Sequence, residues 1–80
     1  MRSHLVKGAN RIELTIRSYT DRTGRTPKKK VLLQMHRYIE KDDKWTNKDF
    51  PCKGEAEALK KMREVNQYWI EFHGYTVEES

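Results

Sequence analysis

Only one cysteine, Cys52, occurs in the 80 residues, so no disulfide can close within the chain and a reducing compartment is the natural expectation. Cys52 and the three histidines, His4, His36 and His73, show none of the spacings of a zinc site, such as C-x-x-C or H-x-x-x-H. No metal and no cofactor is therefore expected. The longest apolar run is a few residues and no leader-like pattern opens the sequence, so neither a membrane partner nor export is expected, and the cytoplasm is. There is no internal repeat, no Gly-rich phosphate cradle, no paired carboxylates and no nucleophile motif.

What is present is charge. Charged residues make up 36% of the chain against 35% hydrophobic, yet two Trp, four Tyr and two Phe suffice for one thin core. Residues 1–80 read as a single small domain. Its net charge of +5 is unevenly spread. Positions 1–41 hold eleven cations and three acids, a charge of +8, and the remainder carries −3. The excess is sharpest from Arg17 to Lys30, where six cations meet one Asp, an electrostatic footprint suited to a polyanion.

Residues 1–10 read as a frayed segment broken by Gly8 and Asn10. RIELTIRSY then alternates, with Ile12, Leu14 and Ile16 on one side and Arg11, Glu13, Thr15, Arg17 and Tyr19 on the other, the period of a half-buried strand. Residues 20–30 have turn chemistry and read as a flexible basic loop. VLLQMHRYIEK is the second strand, with Val31, Leu33, Met35 and Ile39 on one face, interrupted by Arg37. A turn at DDK leads into a short third strand, WTNKDF, ending at Pro51.

From Gly54 the period changes. Leu59, Met62, Val65, Trp69 and Phe72 recur at helical spacing, and Gly74 sits where a left-handed cap belongs. Residues 76–80 read as a tail. The expected fold is α+β, a three-stranded antiparallel sheet covered on one face by a single C-terminal helix (βββα).

The open face of that sheet would present Arg17, Tyr19, Gln34, His36 and Tyr38. Arg17 and Arg37 are candidates for base or phosphate contacts, and Gln34 for base edges. Arg22, Arg25, Lys28, Lys29 and Lys30, with Lys44 and Lys48 further along, suit a phosphate backbone. Tyr19, Tyr38 and Trp45 could stack on exposed bases. His36 with Arg37 or Arg17 and Tyr38 also allows a small ribonuclease, but a lone strand histidine without accompanying motifs is ordinarily a polar surface residue. Tyr68, Ile70 and Tyr75 lie off the helix's core stripe. They are candidates for a partner-binding or homodimer face, unless Leu5 and Val6 fold over them.

From His36 the string HRYIEKDDKWTNKDFPCKGEAEALKKM resembles the arm-binding domain at the N-terminus of tyrosine recombinases of phages and conjugative elements. Arg37–Tyr38, Lys44–Trp45, Phe50 and Lys53–Ala56 carry the resemblance. Cys52 stands where that family prefers Ser or Thr, and the loop at 20–30 is longer than its pattern. The resemblance implies a three-stranded sheet laid in the major groove of DNA. The same element order is similar to the second part of a double-stranded-RNA-binding domain, without that family's first helix or its G-x-G-x-[ST]-K-K signature. The expected function is a small non-enzymatic nucleic-acid-binding protein, with DNA ahead of RNA, serving as an accessory protein of a phage or mobile element. The alternative is a small inhibitor or adaptor docking on a host protein or nucleoprotein complex.

Overall fold

The computed structural model describes residues 2–78. Met1 and the last two residues, parts of the expected frayed segment and tail, lie outside the described residues. The chain runs β1 (Arg2–Lys7), β2 (Asn10–Asp21), β3 (Lys28–Ile39), a 3₁₀ turn at Glu40–Asp42, β4 (Lys44–Cys52), α1 (Glu55–His73) and β5 (Thr76–Val77). The strands form one antiparallel sheet in the order β4-β3-β2-β1-β5. The architecture is α+β with one C-terminal helix, as expected, but the sheet has five strands rather than three.

Both extra strands come from segments expected to be loose. Ser3 and Leu5 alternate with His4 and Val6, and β1 pairs with β2 from Arg2↔Thr15 to Lys7↔Asn10. The join is the two-residue turn Gly8–Ala9, with Gly8 at φ 60°, a glycine in the first central position as a tight hairpin favours. Asn10 braces the corner by accepting the Glu40 amide at 2.8 Å. β5 adds Leu5↔Val77 and Val6↔Thr76, and the Glu78 amide reaches His4 O at 2.9 Å. The strand lies within residues 1–10, expected to fray, because six residues are too short and mixed a run to show their alternation.

Side chains at paired positions share a face. The helix covers the face bearing Leu5, Ile12, Leu14 and Leu33, all fully buried. Each such side chain contributes about 1.5–3 kcal/mol of burial. Ala58, Met62, Val65 and Trp69 meet them from α1 at intervals of four, three and four, with Tyr75 closing the end of the core. Gly74, at φ 72°, ends the helix in the left-handed region as its sequence position predicts. Two residues exchange their expected places. Phe72, predicted for the core stripe, is 72% exposed, and Tyr75, predicted for the surface, is only 5% exposed. Beyond Trp69 the chain leaves the helix at Gly74 and folds Tyr75 edge-on to the Trp69 ring, with centroids 5.5 Å apart.

Arg37 explains the interruption in the second strand's apolar face. It lies on the covered side with its guanidinium 4.7 Å from the Trp69 ring centre. Its Nε is buried without a hydrogen-bond partner, so the aromatic face takes the place of an ion pair. β4 is longer than the stretch expected and includes Pro51, which a strand tolerates only at a sheet edge, where β4 lies.

Candidate nucleic-acid interface

The strands of the central hairpin run on well past the rest of the sheet. β2 and β3 stay paired to Asp21↔Lys28, whereas β1 begins opposite Thr15 and β4 ends opposite Val31. The outer part of the hairpin is thus a two-stranded ribbon with neither strand flanked by another among the described residues. The molecule is elongated, 48 Å along its long axis and about half as wide, 25 × 23 Å. The loop expected over residues 20–30 is correspondingly shorter. Only residues 22–27 are outside the strands, and Lys28, Lys29 and Lys30 belong to β3.

The ribbon carries Tyr19, Lys28 and Lys30 on the open face, Lys29 on the opposite face, and Arg22 and Arg25 at the tip, with Arg17 on the open face at its base, where β4 still flanks β3. All six cations from Arg17 to Lys30 are exposed. None takes part in an ion pair, the one salt bridge among the described residues being Arg11–Glu78 at 3.7 Å. The single acid of the segment is occupied locally. Asp21 accepts the Thr23 amide at 2.9 Å and the Thr23 hydroxyl at 2.6 Å, so it organises the tip instead of neutralising an arginine.

Those two Thr23 bonds, with a smaller contribution from Lys30, hold the Asp21 carboxyl below its ordinary 3.8. A carboxyl with a depressed folded-state pKa stabilises above its ordinary value, and that contribution is lost as the pH falls through the folded value. In an NMR titration the Thr23 amide should therefore move with a midpoint below 3.8. A midpoint at or above it would mean that the tip is not organised by this carboxylate.

At the base of the ribbon lies a surface cavity of about 450 Å³ beside Lys28–Lys30, Pro51 and Lys53, with Tyr19, 51% exposed, at its rim. Lys53 is not among the contacts expected from sequence. The turn from β4 into α1 brings it there, fixed by its amide bond to Glu57 Oε2 at 3.2 Å.

The other open-face candidates form a separate group. Gln34, His36 and Tyr38 share the open face with Trp45, and Tyr38 packs against Trp45 with centroids 5.3 Å apart and ring planes tilted by 41°. Tyr38 also donates its hydroxyl proton to Asp43 Oδ1 at 2.5 Å, which pushes its pKa above 10.0. Eight residues of β3 separate Lys30, opposite Tyr19, from Tyr38, about 27 Å at strand rise. The intervening face is not uniformly basic. Glu13 lies between His4 and His36, and Asp49 is opposite Gln34. Period two already puts Glu13 on this face, and the cross-strand register adds Asp49.

Three predicted contacts fall elsewhere. Arg37, Lys44 and Lys48 are on the helix-side face, with Arg37 held on Trp69 and Lys48 5.2 Å from the Phe50 ring. Of the partner-face candidates, Tyr68 and Ile70 are exposed, but two residues apart they point to opposite flanks of α1. Tyr75 is in the core. Among the described residues no group of three or more His, Cys, Asp or Glu side chains is placed to hold a metal, and no helix is long and apolar enough to cross a membrane. No protein-family model, curated protein or solved structure matches this chain.

Proposed function

We propose that the chain is a non-enzymatic nucleic-acid-binding protein that inserts its basic ribbon into a groove of duplex DNA. The observation that carries this reading is the ribbon with its base, where six exposed cations, none ion-paired, lie on both faces and at the tip of a projecting hairpin, five of them beyond the flanking strands. A surface that rests on a polyanion needs charge on one side, whereas one that enters a groove meets phosphates on both. The major groove of B-form DNA admits a two-stranded ribbon, and that of A-form RNA is too deep and narrow for side chains to read, which favours DNA over RNA. An accessory protein of a phage or mobile element is the setting implied by the recombinase resemblance of residues 36–62.

Fluorescence anisotropy against labelled duplex DNA, single-stranded DNA and duplex RNA at two salt concentrations tests the reading. Duplex DNA should bind most tightly, with log K falling against log salt at a slope of about −5 if six phosphates are neutralised. Absence of binding to all three at low salt would overturn it. The second reading, docking on a host protein or nucleoprotein complex, is favoured by the exposed aromatics Tyr68 and Phe72 on α1. It would be supported by co-purification with a protein partner in the absence of nucleic-acid affinity.

A further inference from the structure

The helix does not cover the sheet evenly. Between α1 and the outer strands β3 and β4 a largely apolar groove of about 320 Å³ remains open, floored by Met35, Phe50, Val65 and Trp69, flanked by Tyr68 and rimmed by Lys48, Lys61 and Glu64. That volume is at the small end of sites for organic ligands and on the scale of one or two side chains. One turn beyond, on the same flank of the helix, Phe72 projects into solvent against Tyr68, with ring centroids 5.4 Å apart. The chain thus displays a socket and a large apolar knob side by side. Phe72 cannot fill the groove of its own chain, because it lies past the groove's end on the same rigid helix.

We propose that this flank binds a second copy of the chain, the two α1 helices running antiparallel about a two-fold axis level with Asn66, so that Phe72 of each copy enters the groove of the other beside Phe50. The placement of charge selects this occupant. Lys61, at the groove's end, and Glu71, at the solvent-side edge of the flank about 60° around the helix from Tyr68, lie five residues either side of Asn66. Neither has an ion-pair partner in the chain among the described residues, Glu71 accepting only the Gln67 side-chain amide at 2.9 Å and Lys61 lying 5.2 Å from the Phe50 ring centre. A two-fold axis at that level brings Lys61 of each copy over Glu71 of the other, so each pair is made twice, as an isologous interface requires. A parallel arrangement would instead set like charges together.

The flank from Lys61 to Phe72 is only about 17 Å long, so the interface is small and the dimer belongs in the weak, micromolar class. The proposal does not depend on nucleic-acid binding.

Sedimentation equilibrium of the full chain from about 10 μM to about 1 mM tests it. The wild type should dimerise. Phe72→Lys, Lys61→Glu and Glu71→Lys should each weaken association at least about tenfold, and the double swap Lys61→Glu with Glu71→Lys should restore it. All of these positions but Lys61 are exposed and none is in the core, so far-UV circular dichroism should be unchanged in every variant. A wild type that stays monomeric throughout overturns the proposal. So does a dimer indifferent to Phe72→Lys, or one broken by the single charge reversals that the double swap fails to restore.

Discussion

Replacing Lys28, Lys29 and Lys30 together with Gln should lower affinity for duplex DNA by about two orders of magnitude at about 0.15 M salt, and should make the salt slope shallower by about 3. Each lysine that neutralises a phosphate releases condensed counterion, and three such contacts at that ionic strength are worth about 100-fold. The three project to alternate faces of β3, so losing all of them strips the ribbon on both sides at once. They are fully exposed and free of ion pairs, so thermal stability should be almost unaffected. The matching control is Lys60 with Arg63, exposed on α1 away from the ribbon, whose neutralisation should change the slope far less. Equal losses per charge removed in the two sets would mean that binding follows net charge, and the ribbon would lose its special standing.

A second large effect is expected from a residue in the segment that the sequence presents as loose. Leu5→Ala should destabilise the fold by about 2–5 kcal/mol. Leu5 is completely buried, facing Ile12 across β1–β2 and Val77 across β1–β5, in one cluster with Leu14, Leu33 and Trp69. A chain of this length is stable by only about 4–12 kcal/mol, so a large share of the total is at stake. The melting temperature should fall by at least about 10 °C. The neighbouring Val6→Ala, on the open face and half-buried, should cost under about 1.5 kcal/mol. If β1 were fraying, the two substitutions would be equally silent in a thermal melt.

How far these features could be read in advance depended on how long a pattern persists. Ile12, Leu14 and Ile16 alternate without interruption, and Val31, Leu33 and Met35 do likewise, so both central strands and their common buried face were legible from period alone. The helix was legible for the same reason. β1 offers six residues and β5 two, too few to separate a strand from chance. Each is held by partners distant in sequence instead. Arg37 looked like a surface cation because its partner, Trp69, is 32 positions away, and only the packing of α1 on β3 brings them together. Phe72 and Tyr75 changed places because helical spacing continues past the point where the chain turns at Gly74.

The candidate site divided along similar lines. The charge of residues 17–30 is written in composition, and the shared face of Arg17, Tyr19, Gln34, His36 and Tyr38 follows from period two. The extent of pairing in the hairpin was not legible. Asp21, Thr23 and Gly24 all favour a turn, and nothing in the row of lysines says that it pairs with Tyr19–Asp21.

The order of the strands also has a kinetic meaning. Four of the five, β1 through β4, form a meander in which each strand pairs with its neighbour in sequence, and the connections are turns of two to six residues. Loop closure is cheap at such separations, so this part of the sheet can assemble by successive hairpins on a fast timescale. β5 is the exception, since Leu5 meets Val77 across nearly the whole sequence. Its two residues gain little until both the meander and α1 are in place, so the last step of folding is the docking of Tyr75–Val77, which latches the first strand after the rest has formed.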